Sequence, residues 1–330
     1  MSDLTITVRG ASTGPAAGPT AGPSSADGLD HALAEAAGGL HDADADAWAV
    51  PSRTERLRRR ALWLVRRPGL VLAVLAIALA LAWAFWPAAF APYSPTVGVP
   101  ADKLQGPSAQ YWFGTDYLGR DLFSRVVHGS ALSLKATAIA VAIALVAGSG
   151  IGLVAGFVGG VVDDVLMRVV DVLLAVPGLL LSLAVVTVLG FGTTNVAIAV
   201  GVAAVASFAR VMRAEVLRVR ESVFVEAAAA SGVGRLTILR RHVLPNSSGP
   251  VLVLSALEFG SAILAVSALS FLGFGAAPPA PEWGSLVSEG RSYLATSWWL
   301  TTLPGLVVVA VVLSANRVSR ALDGEWSDLR

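Results

Sequence analysis

The chain has 330 residues and no cysteine. That excludes disulfides, thiol catalysis, thiolate metal sites and a lipid-modified cysteine. Only four histidines occur (His31, His41, His128 and His242), and no two stand at metal-ligand spacing. Lysine is nearly missing as well, with Lys103 and Lys135 alone, so arginine carries the basic character. Charged residues make up 14% of the chain, well below the roughly 25% of a globular protein. The net charge of +1 says nothing about partners, and nucleic acid is not expected among them. There is no GxxxxGK[ST] to cradle ATP phosphates, no HExxH and no GxSxG. No catalytic residue is assigned, and neither a metal nor a cofactor is expected on this chain. Whatever energy its work requires must come from a gradient or from another subunit.

What is present is apolar. Hydrophobic residues make up 55% of the chain and the mean hydropathy is +0.69. Several runs approach or exceed the ~18 apolar residues that mark a transmembrane helix. The fold class expected is an all-α polytopic membrane protein in the lipid bilayer. Its six spans are read at about 69–87, 131–157, 168–190, 194–212, 250–273 and 298–316. Ahead of them, residues 1–52 are rich in Ala, Gly, Pro, Ser and Asp without apolar periodicity, so a disordered tail is expected. No basic stretch followed by an apolar one near Met1 reads as a signal peptide. The acidic stretch HDADAD (41–46) reads as part of that solvated tail.

Charge distribution gives a topology. Seven arginines in 53–67 precede the first span and six more lie in 213–249, whereas the alternate loops hold only Lys103, Arg120, Arg125 and Arg291. Basic flanks stay cytoplasmic, so both termini are expected inside, with 53–325 forming the membrane domain and 326–330 a short tail. Trp83, Trp86, Trp298 and Trp299 then fall at the outer interface.

Within the spans three features stand out. Small residues recur at every fourth position along Ala136, Ala140, Ala144, Gly148, Gly152, Gly156 and Gly160, a pattern that lets helices approach closely. GIGLVA (150–155) matches a loose dinucleotide fingerprint but lacks a preceding strand, so helix packing is the better reading. Arg168 and Asp171 stand at i,i+3 and are expected to form a structural intramembrane pair, with a kink at Pro177–Gly178. Glu258 lies deep in the fifth span. It is either a residue of a translocation pathway or a protonated acid bonded to a neighbouring helix.

The loop 213–249 reads as helix, turn, helix. Helix formers run from Arg213 to Ala230, Ser231–Gly232 make a stop, and RLTILRRHVL forms a second short helix ended by Pro245–Asn246. Lipid headgroups account for its arginines but not for its alanines and glycine. The spacing Glu226-Ala227-Ala228, Gly232, Leu244-Pro245 resembles the EAA loop of ABC importer permeases. His242 stands where isoleucine is usual, and RHVLPN is the form typical of dipeptide/oligopeptide/nickel permeases. FGTDYLGRDLFSRVVHGSALSL (113–134), MRVVDVLLAVP (167–177) and LSFLGFGAAPPAPEWGSLVSEGRSYL (269–294) are similar to the C-type (DppC/OppC) subunits of that family. The resemblance covers about 60–325.

That resemblance implies a type I ABC importer transmembrane domain in the bacterial plasma membrane. It implies four partners: a B-type permease forming a heterodimer, two ABC ATPase subunits that hold ATP and magnesium, and an extracytoplasmic substrate-binding protein. Glu226, Ala227, Ala228, Gly232, His242, Leu244 and Pro245 would then couple to an ATPase subunit. Peptides are the cargo the subfamily favours, and nickel or another small solute is the alternative. Import is likewise an implication of the resemblance. Outside the family, an ion-gradient-driven secondary transporter would want internal repeats and more buried ionisable chains than Glu258 alone, and an assembly scaffold would want neither.

Overall fold

The computed structural model describes residues 68–327, with side chains as far as Ala321. The expected tail 1–52, the HDADAD stretch, the seven arginines at 53–67 and residues 328–330 lie outside the described residues. Helix α1 spans Pro68–Phe85. Helix α2 runs Leu122–Val158. It starts nine residues earlier than the apolar run implies, because the Asp121 side chain caps it by accepting from the Ser124 amide at 2.8 Å.

Two helices follow where one span was expected. Helix α3 (Gly160–Ala175) and helix α4 (Gly178–Leu189) meet at an angle of 97°. The break falls at Val176, which is extended at φ −92° and ψ 129°, the conformation that a following proline imposes. So 158–167 is no loop: most of it is helix. The pair still makes one crossing. Asp163 in α3 binds Arg213 at one end of the bundle, and Phe191 just after α4 stacks on Phe274 at the other.

Helix α5 (Thr193–Arg220) extends eight residues past the expected span. Helix α6 (Val223–Ala230) is separate from it, broken at Glu221–Ser222. Helix α7 runs unbroken over Arg235–Phe271. The expected stop at Pro245–Asn246 does not occur. A proline ring clashes with the carbonyl four residues back. Here a π turn over Leu239–Val243 widens the backbone just before it, and Leu244 N–H bonds Leu239 O. Helix α8 (Trp283–Gly290) lies between the fifth and last crossings, and helix α9 (Trp299–Ser327) completes the fold. Five helices are thus long and apolar enough to span a membrane, and α3–α4 supplies a sixth, broken crossing.

The stripe of small residues explains the central contact. A Cβ on Gly148 would meet Phe208 Cβ and Val205 O at 2.5 Å, and one on Gly152 would meet Ala209 O at 2.3 Å. Gly156 would meet Val216 at 2.9 Å, so α2 lies directly on the α5 backbone. Gly160 is outside this contact, with open space around it. Residues four apart on a helix of 3.6 residues per turn drift by about 40° per step. The π turn at Ala144–Gly148 inserts the extra backbone that brings the stripe back toward α5.

Candidate functional site: the α6 segment and the mid-bundle cavity

Each end of the bundle is built differently. At the α6 end, the apolar seat consists of Phe208, Met212, Val216, Val219, Ile238, Val243 and Val251. Helix α6 inserts only Val225 into it, with Ala228 half-buried beside it. Everything else on this helix faces out: Val223 is 81% exposed and Phe224 47% exposed, and Glu226, Ala227 and Ala230 are exposed too. A helix this short is unstable alone, so its ends must be fixed by other contacts. Its C-terminus is a Schellman turn. Gly232 N–H bonds Ala229 O, Val233 N–H bonds Ala228 O, and Gly232 adopts φ +78°. No atom lies within 4 Å of a Cβ placed on Gly232. The glycine is there for its backbone conformation rather than for space.

Of the residues expected to act together, His242 is the one in contact with α6. His242 is half-buried, with its ring centroid 6.4 Å from that of Phe224, which ties the start of α7 to α6. Leu244 is 40% exposed and Pro245 is exposed, one turn further along α7. Glu226 borders a groove of about 580 Å³ together with Phe157, Arg220, Glu221 and Arg235. Arg220 also donates to Gly156 O and Phe157 O at 3.2 and 3.3 Å, a cation at the carboxyl end of α2.

The Arg168–Asp171 pair is not formed. Asp171 binds Arg210 of α5 at 2.7 Å instead, and Arg168 is exposed. The i,i+3 geometry within α3 yields to a partner on the adjacent helix whose guanidinium reaches the carboxylate directly. A second cross-helix pair escaped sequence reasoning: Arg213 grips Asp163 with two bonds of 2.5 and 2.6 Å. At 50 residues' separation nothing in the sequence links them.

Glu258 lies mid-way between Leu244 and Phe271 on α7, about 20 Å from each at 1.5 Å per residue. An acid at this depth costs about 3 kcal/mol and marks a protein or water contact. It opens onto a cavity of about 230 Å³ whose walls come from α2, α4, α5 and α7. The remaining lining is Ala, Val, Leu, Gly and Ser. The structure therefore keeps Glu258 apart from the α6 residues.

The opposite end holds a buried ionic cluster that the sequence did not announce. Arg125, 1% exposed, donates to Asp116 at 2.8 Å and to Glu289 at 2.7 and 3.2 Å. Arg120 adds a 2.6 Å bond to Asp116. This ties the 113–125 segment to α8, 164 residues away. Beside it, the fully buried Glu282 accepts from Ser270 Oγ and from the Ala276 amide, both at 2.7 Å. The indole of Trp283 donates to Val126 O at 3.0 Å. Burial pushes the Asp121 carboxyl above its ordinary range, against the pull of its hydrogen bonds from Ser124 and Phe123. The hydrogen bond from Tyr111 to Asp102 raises the tyrosine.

Comparison with known proteins follows the same segments. A family profile described as "Binding-protein-dependent transport system inner membrane component" matches residues 148–327. The chain is 43% identical over 223 residues to the dipeptide transport system permease protein DppC of Alkalihalophilus pseudofirmus, covering 68% of this chain and 73% of that protein. It is 37% identical over 276 residues to the glutathione transport system permease protein GsiD of Pectobacterium atrosepticum, covering 83% and 92%. With the di/tripeptide transport system permease protein DppC of Pseudomonas aeruginosa it shares 40% over 238 residues, covering 70% and 78%.

Proposed function

Because this chain belongs to the family of binding-protein-dependent transport system inner membrane components, we propose that it is a permease subunit of an ATP-driven peptide importer. Members of this family are transport components of ABC systems. ATP hydrolysis belongs to their ATPase subunits and delivery of cargo to a substrate-binding protein. As an all-helical, multi-pass inner-membrane protein, the chain supplies crossings for a pathway and a contact for the motor. Peptide cargo follows the dipeptide, di/tripeptide and glutathione systems named for its relatives.

The observation that carries the mechanism is the outward face of α6. A helix seated by Val225, closed by the Gly232 turn and otherwise exposed is shaped to sit in another protein. In our reading Glu226, Ala227 and Ala228 dock on an ATPase subunit, and His242, Leu244 and Pro245 hand its movement to α7. The α6 end is then cytoplasmic, which accords with exposed Arg235, Arg240 and Arg241 there and with ion-paired Arg120 and Arg125 at the other end. The Arg210–Asp171 pair is more than half exposed on the isolated chain, which at membrane depth is untenable against lipid. We assign that face to a second, B-type permease. Glu258 and its cavity would border the pathway between the two.

Glu226→Lys tests the docking. In the assembled transporter the variant should insert and pair with its partner permease, yet ATP hydrolysis should no longer drive uptake. Normal uptake by Glu226→Lys would remove α6 from the coupling contact.

A further inference from the structure

The cavity at Glu258 has a chemistry that the importer reading does not specify. Its 14 lining residues include one charged group, Glu258, and three hydroxyls, Ser182, Ser207 and Ser261. No Lys, Arg or His lines it. The ion pairs formed among the described residues leave Glu258 out. The remaining walls are small and apolar, with Ala140, Ala144, Ala203 and Ala262 among them. When ionised, a carboxyl group with hydroxyl acceptors around it, in a medium that repels charge, selects a compact cation with several N–H donors.

Size narrows the class further. This chain's share of the space, about 230 Å³, is below the roughly 300–1,000 Å³ of a site that encloses a whole small ligand. The cavity accommodates one end of a molecule. Alanine walls offer no shape discrimination, so the side chain entering with that end is left unread. Such a site suits cargo that shares one cationic group and varies in everything else.

We infer that Glu258 is the counter-charge for the free α-ammonium group of a short peptide as it crosses the bundle. Ser182, Ser207 and Ser261 supply acceptors for the N–H groups the carboxylate does not reach. The inference rests on the peptide-importer reading above, and it adds which end of the peptide this chain holds.

The absence of cysteine makes a direct test available. Ser261→Cys, at an exposed position on the cavity wall, gives the chain a single thiol. With its partner subunits, themselves made cysteine-free at reactive positions, the variant is assembled in proteoliposomes. It is then modified by a trimethylammonium-ethyl and by a sulfonatoethyl thiosulfonate. The cationic reagent should be favoured by about tenfold over the anionic one, relative to free thiol, the order expected for one nearby carboxylate. Adding Glu258→Gln should abolish that preference. A dipeptide with a free amino terminus should slow modification, and its N-acetylated form should not. Uptake of the free dipeptide by Glu258→Gln should fall about tenfold or more, with Glu258→Asp recovering part of it.

Equal reagent rates in the Ser261→Cys protein would overturn the inference, since they mean that Glu258 is neutral or already paired with a partner-subunit cation. Equal protection by the acetylated dipeptide would overturn it too. Undiminished dipeptide uptake by Glu258→Gln does the same while leaving the importer reading intact. If the parent transporter takes up no peptide at all, the cargo reading fails, and this inference with it.

Discussion

Replacing Gly232 separates a conformational from a steric need for glycine at this turn by their opposite rank orders. The residue sits at φ +78° and has no atom within 4 Å of the space a Cβ would occupy. All of the penalty therefore lies in the backbone. For an ordinary L-residue the left-handed conformation costs about 1–2 kcal/mol, and asparagine tolerates it better than alanine. Stability of the α6 terminus should fall in the order Gly, Asn, Ala, Val, although asparagine is larger than alanine. Two amides report the turn directly, because Gly232 and Val233 donate to Ala229 O and Ala228 O. Hydrogen–deuterium exchange at those amides in nanodiscs should accelerate about 5- to 30-fold in Gly232→Ala, the factor that 1–2 kcal/mol implies. Gly232→Asn should show a smaller acceleration. On the proposed docking of α6, coupled uptake per ATP hydrolysed should decline in the same order, since the Schellman bonds fix the end of that helix. An alanine variant that exchanges like the parent, or more slowly than the asparagine variant, would refute the reasoning.

Further outcomes follow from other contacts. Gly152→Ala puts a methyl 2.3 Å from Ala209 O and should lower thermal stability in detergent by about 1–3 kcal/mol. Gly150→Ala, two residues away with open space, should be neutral or slightly stabilising in the same assay. Arg125→Met leaves Asp116 and Glu289 with Arg120 alone between them, at 2.6 and 3.4 Å. It should cost about 3–5 kcal/mol and expose the 100–120 segment to limited proteolysis. Asp121→Asn keeps a cap for the Ser124 amide while removing a carboxylate that burial disfavours. A raised carboxyl pKa means the aspartate's contribution is intact below its ordinary range and lost as pH rises through the folded value. The asparagine variant should then gain in melting temperature at pH 7 and lose that advantage near pH 3.

Much of this architecture was legible because it is periodic. The spans announce themselves through apolar length, and the four-residue stripe from Ala136 to Gly160 reads as a helix contact, which holds at Gly148, Gly152 and Gly156 and fails at Gly160. The Ser231–Gly232 stop was legible for the same local reason, since a glycine after a run of alanines serves one conformation. What escaped depends on pairs distant in sequence. Nothing near Asp163 in the chain points to its partner, because Arg213 lies on another helix. Asp171 was matched to the nearest arginine along its own helix, when Arg210 across the groove fits better. The Arg125–Glu289 cluster joins two connecting segments whose separate patterns carry no sign of each other. Pro245 misled in the other direction. Its breaking tendency is real, but a π turn of the preceding residues absorbs it.

The unbroken course of α7 has a mechanical consequence. From Arg235 to Phe271 it is a single strut of about 55 Å, with Glu258 about two-thirds of the way along. A tilt of about 10° about its Phe271 end would carry Glu258 through about 3 Å and Arg235 through about 9 Å, at 1.5 Å per residue. Under the proposed coupling, such a strut would work as a reducing gear. A large stroke at the α6 end arrives at mid-membrane as a small displacement, delivered with correspondingly greater force and enough to change what a cavity of this size can hold.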